Sequence, residues 1–234
     1  HRNLQAGASP RKDGTLMKKL LSAFVMLCLP AFALAAGGAE VQLTPAPINL
    51  DDKVSLQRGA QLFLNNCLGC HSAQYMRYER VSEDLEIPVA IMKKNMLFTS
   101  ERIGDVMQSA MPADLAKKWF GVVPPDLTLE ARLRGADWVY SYLTGFYADE
   151  KRPWKVNNHV FPDVGMPHVL SNMEKSLGEK AFKEAMADLT NYLVYMAEPA
   201  RADRERIGVW VLLFLAIFFI PVYFLNREYW KDVH

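Results

Sequence analysis

The chain has 234 residues, which is room for one ordinary domain and little more, and half of its residues are apolar. A charged fraction of 23% beside that apolar content is typical of a folded protein and excludes a disordered one. The formal net charge of +1, without a basic block, argues against a nucleic-acid partner.

The N-terminal region predicts a secretory signal at residues 17–35. Two lysines follow Met17, an apolar stretch fills positions 20–34, and small residues lead to a cleavage point after Ala35. An uncleaved membrane anchor is the alternative, but the apolar stretch is short for a span and contains Pro30. Residues 1–16 have no place in such a signal, and we expect this upstream extension to lie outside the fold.

The run Cys67-Leu-Gly-Cys70-His71 carries the chemistry. Two thiols three positions apart, on one turn of helix, can each add to one vinyl group of a single haem, and the next imidazole then faces the iron. Cys28 falls in the predicted signal, so no disulfide framework can form. A zinc ribbon needs a second Cys pair, which the sequence lacks. A thioredoxin-like redox pair lies between a strand and a helix, whereas both flanks of this motif are predicted to be helical. The motif predicts one covalently attached haem c.

A second axial ligand is expected opposite His71, and the residues leave several candidates. A Met thioether suits electron transfer, because it raises the reduction potential and closes the iron to substrates. Met111 and Met166 each precede a proline and so lie on loop chain. The stiff Gly- and Pro-rich surroundings of Met166 favour it over Met111. His159 and His168 are the alternative ligands, and either would lower the potential.

The predicted haem domain, residues 36–206, reads as all-α. Residues 88–96 and 136–143 look helical, Pro124-Pro125 marks a loop, and no run alternates long enough to require a sheet. Asp51 or Asp52 can cap the helix that leads into the haem motif. Apolar residues recur at helical spacing in that helix and in the last helix of the domain: Leu56, Ala60, Phe63 and Leu64, then Phe182, Met186, Leu189, Leu193 and Met196.

Residues 207–225 are 19 uncharged residues, long enough to cross a lipid membrane, with Trp and Tyr near both ends. Pro221 is tolerated in a span. Basic residues flank this segment on both sides, so the predicted signal decides the orientation. We expect the haem domain in the periplasm of a bacterium, a single transmembrane helix in the inner membrane, and a cytoplasmic tail at 226–234.

Charge in the haem domain favours a basic electron acceptor. Residues 36–206 contain 20 Lys and Arg against 23 Asp and Glu, a net charge of −3. An acidic docking patch could form from Glu79, Glu83, Asp84 and Glu86, although a solvated helix face is the simpler interpretation.

Further motifs extend the pattern along nearly the whole chain after the predicted signal. In order, they are Arg58-Gly59, the haem motif, Tyr75 and Tyr78, Pro124-Pro125-Asp126-Leu127, Ala131-Arg132, Gly135-Ala-Asp-Trp-Val-Tyr140, Leu143-Thr-Gly-Phe-Tyr147, Phe161-Pro-Asp-Val-Gly-Met-Pro167 and Ala197-Glu198-Pro199. This order resembles the cytochrome c1 family, the haem subunit of ubiquinol–cytochrome c reductase (respiratory complex III). The chain is shorter than the longest members between His71 and Pro124.

The resemblance implies a cytochrome-c-like fold with His71 and Met166 as axial ligands, Arg132 on a haem propionate and Pro125 against the cofactor. It further implies electron transport from a Rieske iron–sulfur protein to a cytochrome c acceptor, beside cytochrome b in a dimeric complex. The chain alone would be an electron carrier, and the enzyme would be the whole complex. Arg132 as an ordinary surface residue is the alternative.

Two other functions remain open. A membrane-anchored monohaem carrier could instead serve a terminal oxidase. A haem sensor is the third hypothesis, and it requires an open iron site without a strong sixth ligand.

Overall fold

Helices make up most of residues 41–232, the part of the chain that the computed structural model describes. The predicted signal and the extension before it lie outside these residues. The helices are α1 (Lys53–Asn66), α2 (Tyr78–Asp84), α3 (Val89–Asn95), α4 (Ala113–Phe120), α5 (Glu130–Arg134), α6 (Ala136–Thr144), α7 (Ser171–Ala197) and α8 (Arg201–Tyr229). The mostly helical fold class is confirmed, as are the helices expected near residues 88–96 and 136–143.

Two short antiparallel sheets accompany the helices. Strand β1 (Ala73–Arg77) pairs with β2 (Val106–Met107), and β3 (Phe146–Ala148) pairs with β4 (Val156–Asn158). These strands are too short for side-chain alternation to reveal them in the sequence. Because β1 begins two residues after His71, the expectation of helix on both flanks of the haem motif is wrong on that side.

Helix α1 begins at a side-chain cap and ends at the haem motif. The Asp52 carboxylate accepts a hydrogen bond from the Ser55 backbone N–H at 3.0 Å, so Asp52 is the capping residue of the two candidates. The predicted apolar stripe is buried, with Phe63 and Ala60 fully enclosed. The helix therefore presents one face to the core and delivers Cys67 at its C-terminal end.

The crossing of α1 with α7 forms the centre of the core. Gly59 lies so close to α7 that a Cβ atom there would be 2.1 Å from the Asp188 carbonyl oxygen. The Arg58 guanidinium donates to both oxygens of the Asp188 carboxylate, at 2.5 and 2.9 Å. Phe63 and Tyr192 also meet across the crossing, with ring centroids 5.7 Å apart. A small residue beside an ion pair thus fixes how α1 lies on α7.

Helix α7 contains a break at Gly178, whose φ of +75° is left-handed and suits glycine. The apolar stripe predicted for the last helix of the domain follows this break, and its residues are buried. The core is therefore packed against the second part of α7, which runs directly from the break towards the C-terminal helix.

The C-terminal helix α8 is long and apolar enough to cross a membrane, and its apolar side chains are exposed. It contains Pro221 and extends beyond the predicted span 207–225 at both ends. Residues 226–229 of the predicted tail continue this helix. The helix fits a membrane anchor.

Candidate haem site

The two cysteines lie on a tight turn that closes α1. The backbone N–H groups of Cys70 and His71 both donate to the Cys67 carbonyl oxygen, at 3.0 and 2.8 Å. Both cysteines are free thiols; Cys67 is buried and Cys70 half-buried. Burial raises the pKa of Cys67 to about 12 and also raises the pKa of Cys70. A thioredoxin-like redox pair needs a lowered thiol pKa, so the environment favours thioether attachment over redox chemistry.

The imidazole of His71 is oriented by a backbone carbonyl. Its Nδ1 lies 2.8 Å from the carbonyl oxygen of Pro125, which can only accept, so Nδ1 carries the proton. This tautomer leaves the lone pair of Nε2 available for a metal ion. Burial lowers the pKa of His71, which favours the neutral imidazole that a metal requires. Pro125 thus contacts the predicted ligand through its carbonyl, and its contact with a cofactor stays a prediction.

The loop that carries Pro125 is pinned to the chain just after the haem motif. The Leu127 N–H donates to the Ser72 carbonyl at 2.8 Å, and the Gln74 N–H donates to the Asp126 carboxylate at 2.9 Å. Asp126 also accepts from the Thr128 backbone N–H at 2.9 Å. No role for Asp126 was predicted from the sequence. Its position directly after two prolines was the available signal, because Asp in such a place often organises a turn.

Met166 lies beside Tyr142, whose hydroxyl donates to the Met166 sulfur at 3.4 Å. The Tyr142 ring stacks on Trp138 with centroids 5.1 Å apart, and it meets Phe146 edge-on at 5.3 Å. Burial raises the pKa of Tyr142 to about 12, so its hydroxyl remains a donor at neutral pH. The thioether is therefore half-buried in a group of aromatic rings.

Met111, the other candidate sulfur ligand, belongs to a different loop. That loop is held against the haem motif by Ser109, whose hydroxyl donates to the Gly69 carbonyl at 2.9 Å. The Ser109 backbone N–H donates to the Ser72 hydroxyl at 3.0 Å. Met111 is therefore tied to the same stretch of chain that supplies His71.

The two alternative histidines make other contacts. The exposed His159 stacks on Tyr147, with ring centroids 4.4 Å apart. His168 stacks on Phe146 at 4.7 Å, and its Nε2 lies 2.7 Å from the Glu174 carboxylate. The Nδ1 atom of His168 is buried and has no hydrogen-bond partner among residues 41–232. Of these two side chains, His168 remains the stronger alternative to Met166.

Arg132 lies at the base of the C-terminal helix. Its guanidinium is 3.0 Å from the Glu198 carboxylate, which also accepts from Arg204 at 2.7 Å. These arginines hold the pKa of Glu198 below its ordinary value, Arg204 most strongly through its hydrogen bond. With 63% of its side chain exposed, Arg132 has the environment of a surface residue, and its contact with a propionate stays a prediction.

Arg134 lies against the aromatic group, which consists of the rings of Trp138, Tyr142 and Phe146. Its guanidinium lies 4.4 Å from the centroid of the Trp138 ring and pairs with Glu130 at 2.9 Å. Glu130, Arg134, Trp138 and Tyr142 recur every four residues, but Gly135 interrupts the helix between α5 and α6, so helical spacing alone does not predict this arrangement. Arg134 was therefore not predicted from the sequence.

The acidic residues expected to form a docking patch are only partly available. Asp84 accepts hydrogen bonds from Arg80 at 2.5 Å and from the Tyr195 hydroxyl at 2.8 Å. Glu86 pairs with Lys53, while Glu79 and Glu83 are exposed. Two of the four carboxylates are thus engaged within the chain, and a docking role for the patch stays a prediction.

The donor set fits a covalently bound haem. Two neutral, adjacent thiols can form the thioethers, and an imidazole with a fixed tautomer can ligate the iron. The loop at residues 166–168 carries a thioether and a buried imidazole nitrogen, and the assignment of either as a second iron ligand stays a prediction.

Comparison with known proteins identifies the family. The Cytochrome C1 family matches residues 46–233. A curated cytochrome c1 from Allochromatium vinosum is 46% identical over 93% of this chain and all of its own length. The ammonia monooxygenase gamma subunit of Nitrosomonas europaea is 38% identical over the same shares. Cytochrome c1 of Rhodospirillum rubrum is 30% identical over 78% of this chain and 83% of its own length.

The matched region begins before α1 and includes the haem motif, the Pro125 loop, Met166 and α8. Members of the cytochrome c1 family carry one covalently bound haem c and form part of ubiquinol–cytochrome c reductase. The chain belongs to the cytochrome c1 family and is the electron-transfer haem subunit of that complex.

Proposed function

We propose that Cys67 and Cys70 would hold a haem through two thioether bonds and that His71 and Met166 would ligate its iron. The hydrogen bond from His71 Nδ1 to the Pro125 carbonyl carries this proposal, because it leaves the lone pair of Nε2 available for a metal ion. Met166 supplies the softer ligand, which favours the reduced iron. Arg132 would contact a haem propionate, and Pro125 would contact the cofactor.

The proposed activity is a one-electron relay. A haem held by these residues would supply a one-electron iron(III)/iron(II) couple, and the chain would thereby carry an electron from a Rieske iron–sulfur protein to a cytochrome c acceptor. The residues of this chain hold both axial ligands and exclude water from the sulfur side through the aromatic group. No bond to a substrate is made, and the quinol reaction belongs to the rest of the complex, which includes cytochrome b and is dimeric.

The proposed topology places the haem domain, residues 36–206, in the bacterial periplasm. Residues 207–225 would cross the inner membrane, and residues 226–234 would lie in the cytoplasm. The exposed apolar surface of α8 supports a membrane position for this helix. Cleavage after Ala35 would leave a mature chain that begins at Ala36, and residues 1–16 would form no part of its fold.

Ligand substitutions test the site. Met166→Leu should abolish the sulfur-to-iron charge-transfer absorption of the oxidised protein and lower its reduction potential. Met111→Leu is the matched control and should change neither quantity. Unchanged absorption and potential in Met166→Leu, with a change in a His168→Gln variant, would show that His168 is the ligand. Replacing both Cys67 and Cys70 by Ala should remove all haem that survives denaturing electrophoresis.

Mild detergent extraction tests the partners. A cytochrome b and a Rieske protein should co-purify with the chain, and the complex should reduce a cytochrome c with quinol. Co-purification with a terminal oxidase and no Rieske protein would favour the oxidase carrier instead. The likeness to a protein described as an ammonia monooxygenase subunit makes that enzyme a further partner to look for. Binding of carbon monoxide to the reduced protein at neutral pH would support the sensor hypothesis.

A further inference from the structure

Tyr142 contacts the loop of Met166 at two points. Its hydroxyl donates to the Met166 sulfur at 3.4 Å. Its backbone carbonyl accepts from the side-chain amide of Asn158 at 2.8 Å. Asn158 is fully buried, and its Oδ1 accepts from the backbone N–H groups of Val160 and Phe161, at 2.9 and 3.2 Å. One residue of α6 thus holds the loop near its beginning and touches the sulfur near its end.

The ring of Tyr142 cannot easily leave this position. It is stacked on Trp138 with an interplanar angle of 8°, and Phe146 meets it at 71° from another direction. The Arg134 guanidinium covers the Trp138 ring at 4.4 Å. The hydroxyl is therefore held at the sulfur by packing of the ring, and a flexible side chain would not hold it so well.

We propose that Tyr142 is a positioning residue that orients the Met166 thioether and tunes its strength as a ligand. This inference rests on the proposed assignment of Met166 as an axial ligand. A thioether sulfur has two lone pairs, and a hydroxyl that takes one of them leaves the other to point at a metal ion. The same hydrogen bond withdraws electron density from the sulfur. Because the oxidised iron depends more on that density, the hydrogen bond favours the reduced state.

The test is Tyr142→Phe in the haem-loaded protein, which removes the hydroxyl and keeps the ring. The ratio of reduced to oxidised protein at a fixed potential should fall about threefold, or about 28 mV at roughly 59 mV per tenfold change for one electron. Imidazole should bind the oxidised protein about threefold more tightly, since a less well-positioned thioether is displaced more easily. Tyr140→Phe is the matched control in the same helix and should leave both quantities unchanged.

A double-mutant comparison separates this inference from the ligand assignment. In a Met166→Leu background, Tyr142→Phe should no longer shift the potential, because the sulfur is gone. A shift of equal size in both backgrounds would show that Tyr142 acts through packing alone and would overturn the inference. Equal potentials and imidazole affinities for wild type and Tyr142→Phe would also overturn it. If Met166→Leu itself keeps the charge-transfer absorption, the ligand assignment is the part that fails.

Discussion

The two sides of the proposed haem site are built by different means. The Cys67–His71 side is a turn closed by backbone hydrogen bonds within five residues, and a backbone carbonyl of Pro125 fixes its imidazole. The Met166 side is a loop held by side chains that come from other elements, among them Tyr142 and Asn158. Backbone geometry survives most substitutions, whereas each side-chain contact depends on one residue. We therefore expect the Met166 side to be the more easily disturbed.

Further side chains support the loop of Met166. Asn157 Oδ1 accepts from the Asp163 backbone N–H at 2.8 Å. The guanidinium of Arg152 donates to the carbonyl oxygens of Asp163 and Val164, at 2.5 and 3.1 Å. Asp163 has a φ of +63°, a left-handed conformation that Asp tolerates better than most residues. The loop thus keeps an uncommon backbone shape through hydrogen bonds from at least two side chains.

The largest effect is expected at the α1–α7 crossing, because a change there destabilises the core that supports both sides of the site. Gly59→Ala should lower the free energy of unfolding by about 2–3 kcal/mol, because its Cβ would overlap the Asp188 carbonyl and the Tyr192 Cβ. Urea unfolding of the detergent-solubilised protein, followed by circular dichroism, measures this loss. Haem attachment should survive, since the turn at Cys67 is local.

Gly104→Ala is the control for that substitution. The nearest atom to a Cβ at Gly104 is a Glu79 carboxylate oxygen at 3.8 Å, an ordinary contact. The control should therefore unfold like the wild type. An equal loss of stability in both variants would mean that the close approach of α1 to α7 is unimportant. Loss of the covalent haem from Gly59→Ala would mean that the turn depends on the helix crossing.

A smaller effect, confined to one side of the site, is expected from Asn158→Ala. The substitution leaves the Tyr142 carbonyl and the N–H groups of Val160 and Phe161 without their partner, at a cost of about 1–3 kcal/mol. The charge-transfer absorption should weaken while the thioether attachment remains complete. Asn172→Ala, at an exposed position, should change neither. Full absorption in Asn158→Ala would show that the loop does not depend on Asn158.

The same contrast explains what the sequence could predict. The haem motif could be predicted from the sequence because its function depends on residues that are adjacent in the chain. The residues alone favoured Met166 over Met111 but left the histidines open, because the choice depends on which loop the fold brings to the site. The position of Arg134 could not be predicted either, since its neighbours depend on the orientation of α5 relative to α6. The resemblance to a family ranked the ligands where spacing could not.

The short strands show the same limit. Only two residues of β2 take part in pairing with β1, and no periodicity can be seen in two residues. Helix α8 shows what composition can and cannot predict. Its apolar stretch was evident from the sequence, but its charged ends, residues 201–206 and 226–229, carry no apolar signal. Long or local features were predictable, and features made by distant partners were not.

The smallest expected effect is a pH dependence of the Met166 side that comes from Asp149. The Asp149 carboxylate accepts from the Asn157 side chain and from the Lys151 backbone N–H, both at 3.0 Å. These hydrogen bonds, that from Asn157 foremost, hold the pKa of Asp149 below its ordinary value of 3.8. A lowered pKa in the folded state contributes stability above the ordinary value, and this contribution is lost as the pH falls through the lowered value.

Asp149→Asn should therefore weaken the charge-transfer absorption slightly at pH 6, and the difference from wild type should vanish as the pH falls through the lowered pKa of Asp149. Protonated Asp and Asn are alike in shape and charge, so the two proteins converge once the carboxylate is protonated. Glu101→Gln, at an exposed position, controls for the general effect of removing a charge. A difference that persists unchanged in acid would mean that shape, and not the charge of Asp149, supports the loop. The attachment of haem to Cys67 and Cys70 should be the same in Asp149→Asn, Glu101→Gln and the wild type at every pH of the series, because it depends on neither this charge nor this loop.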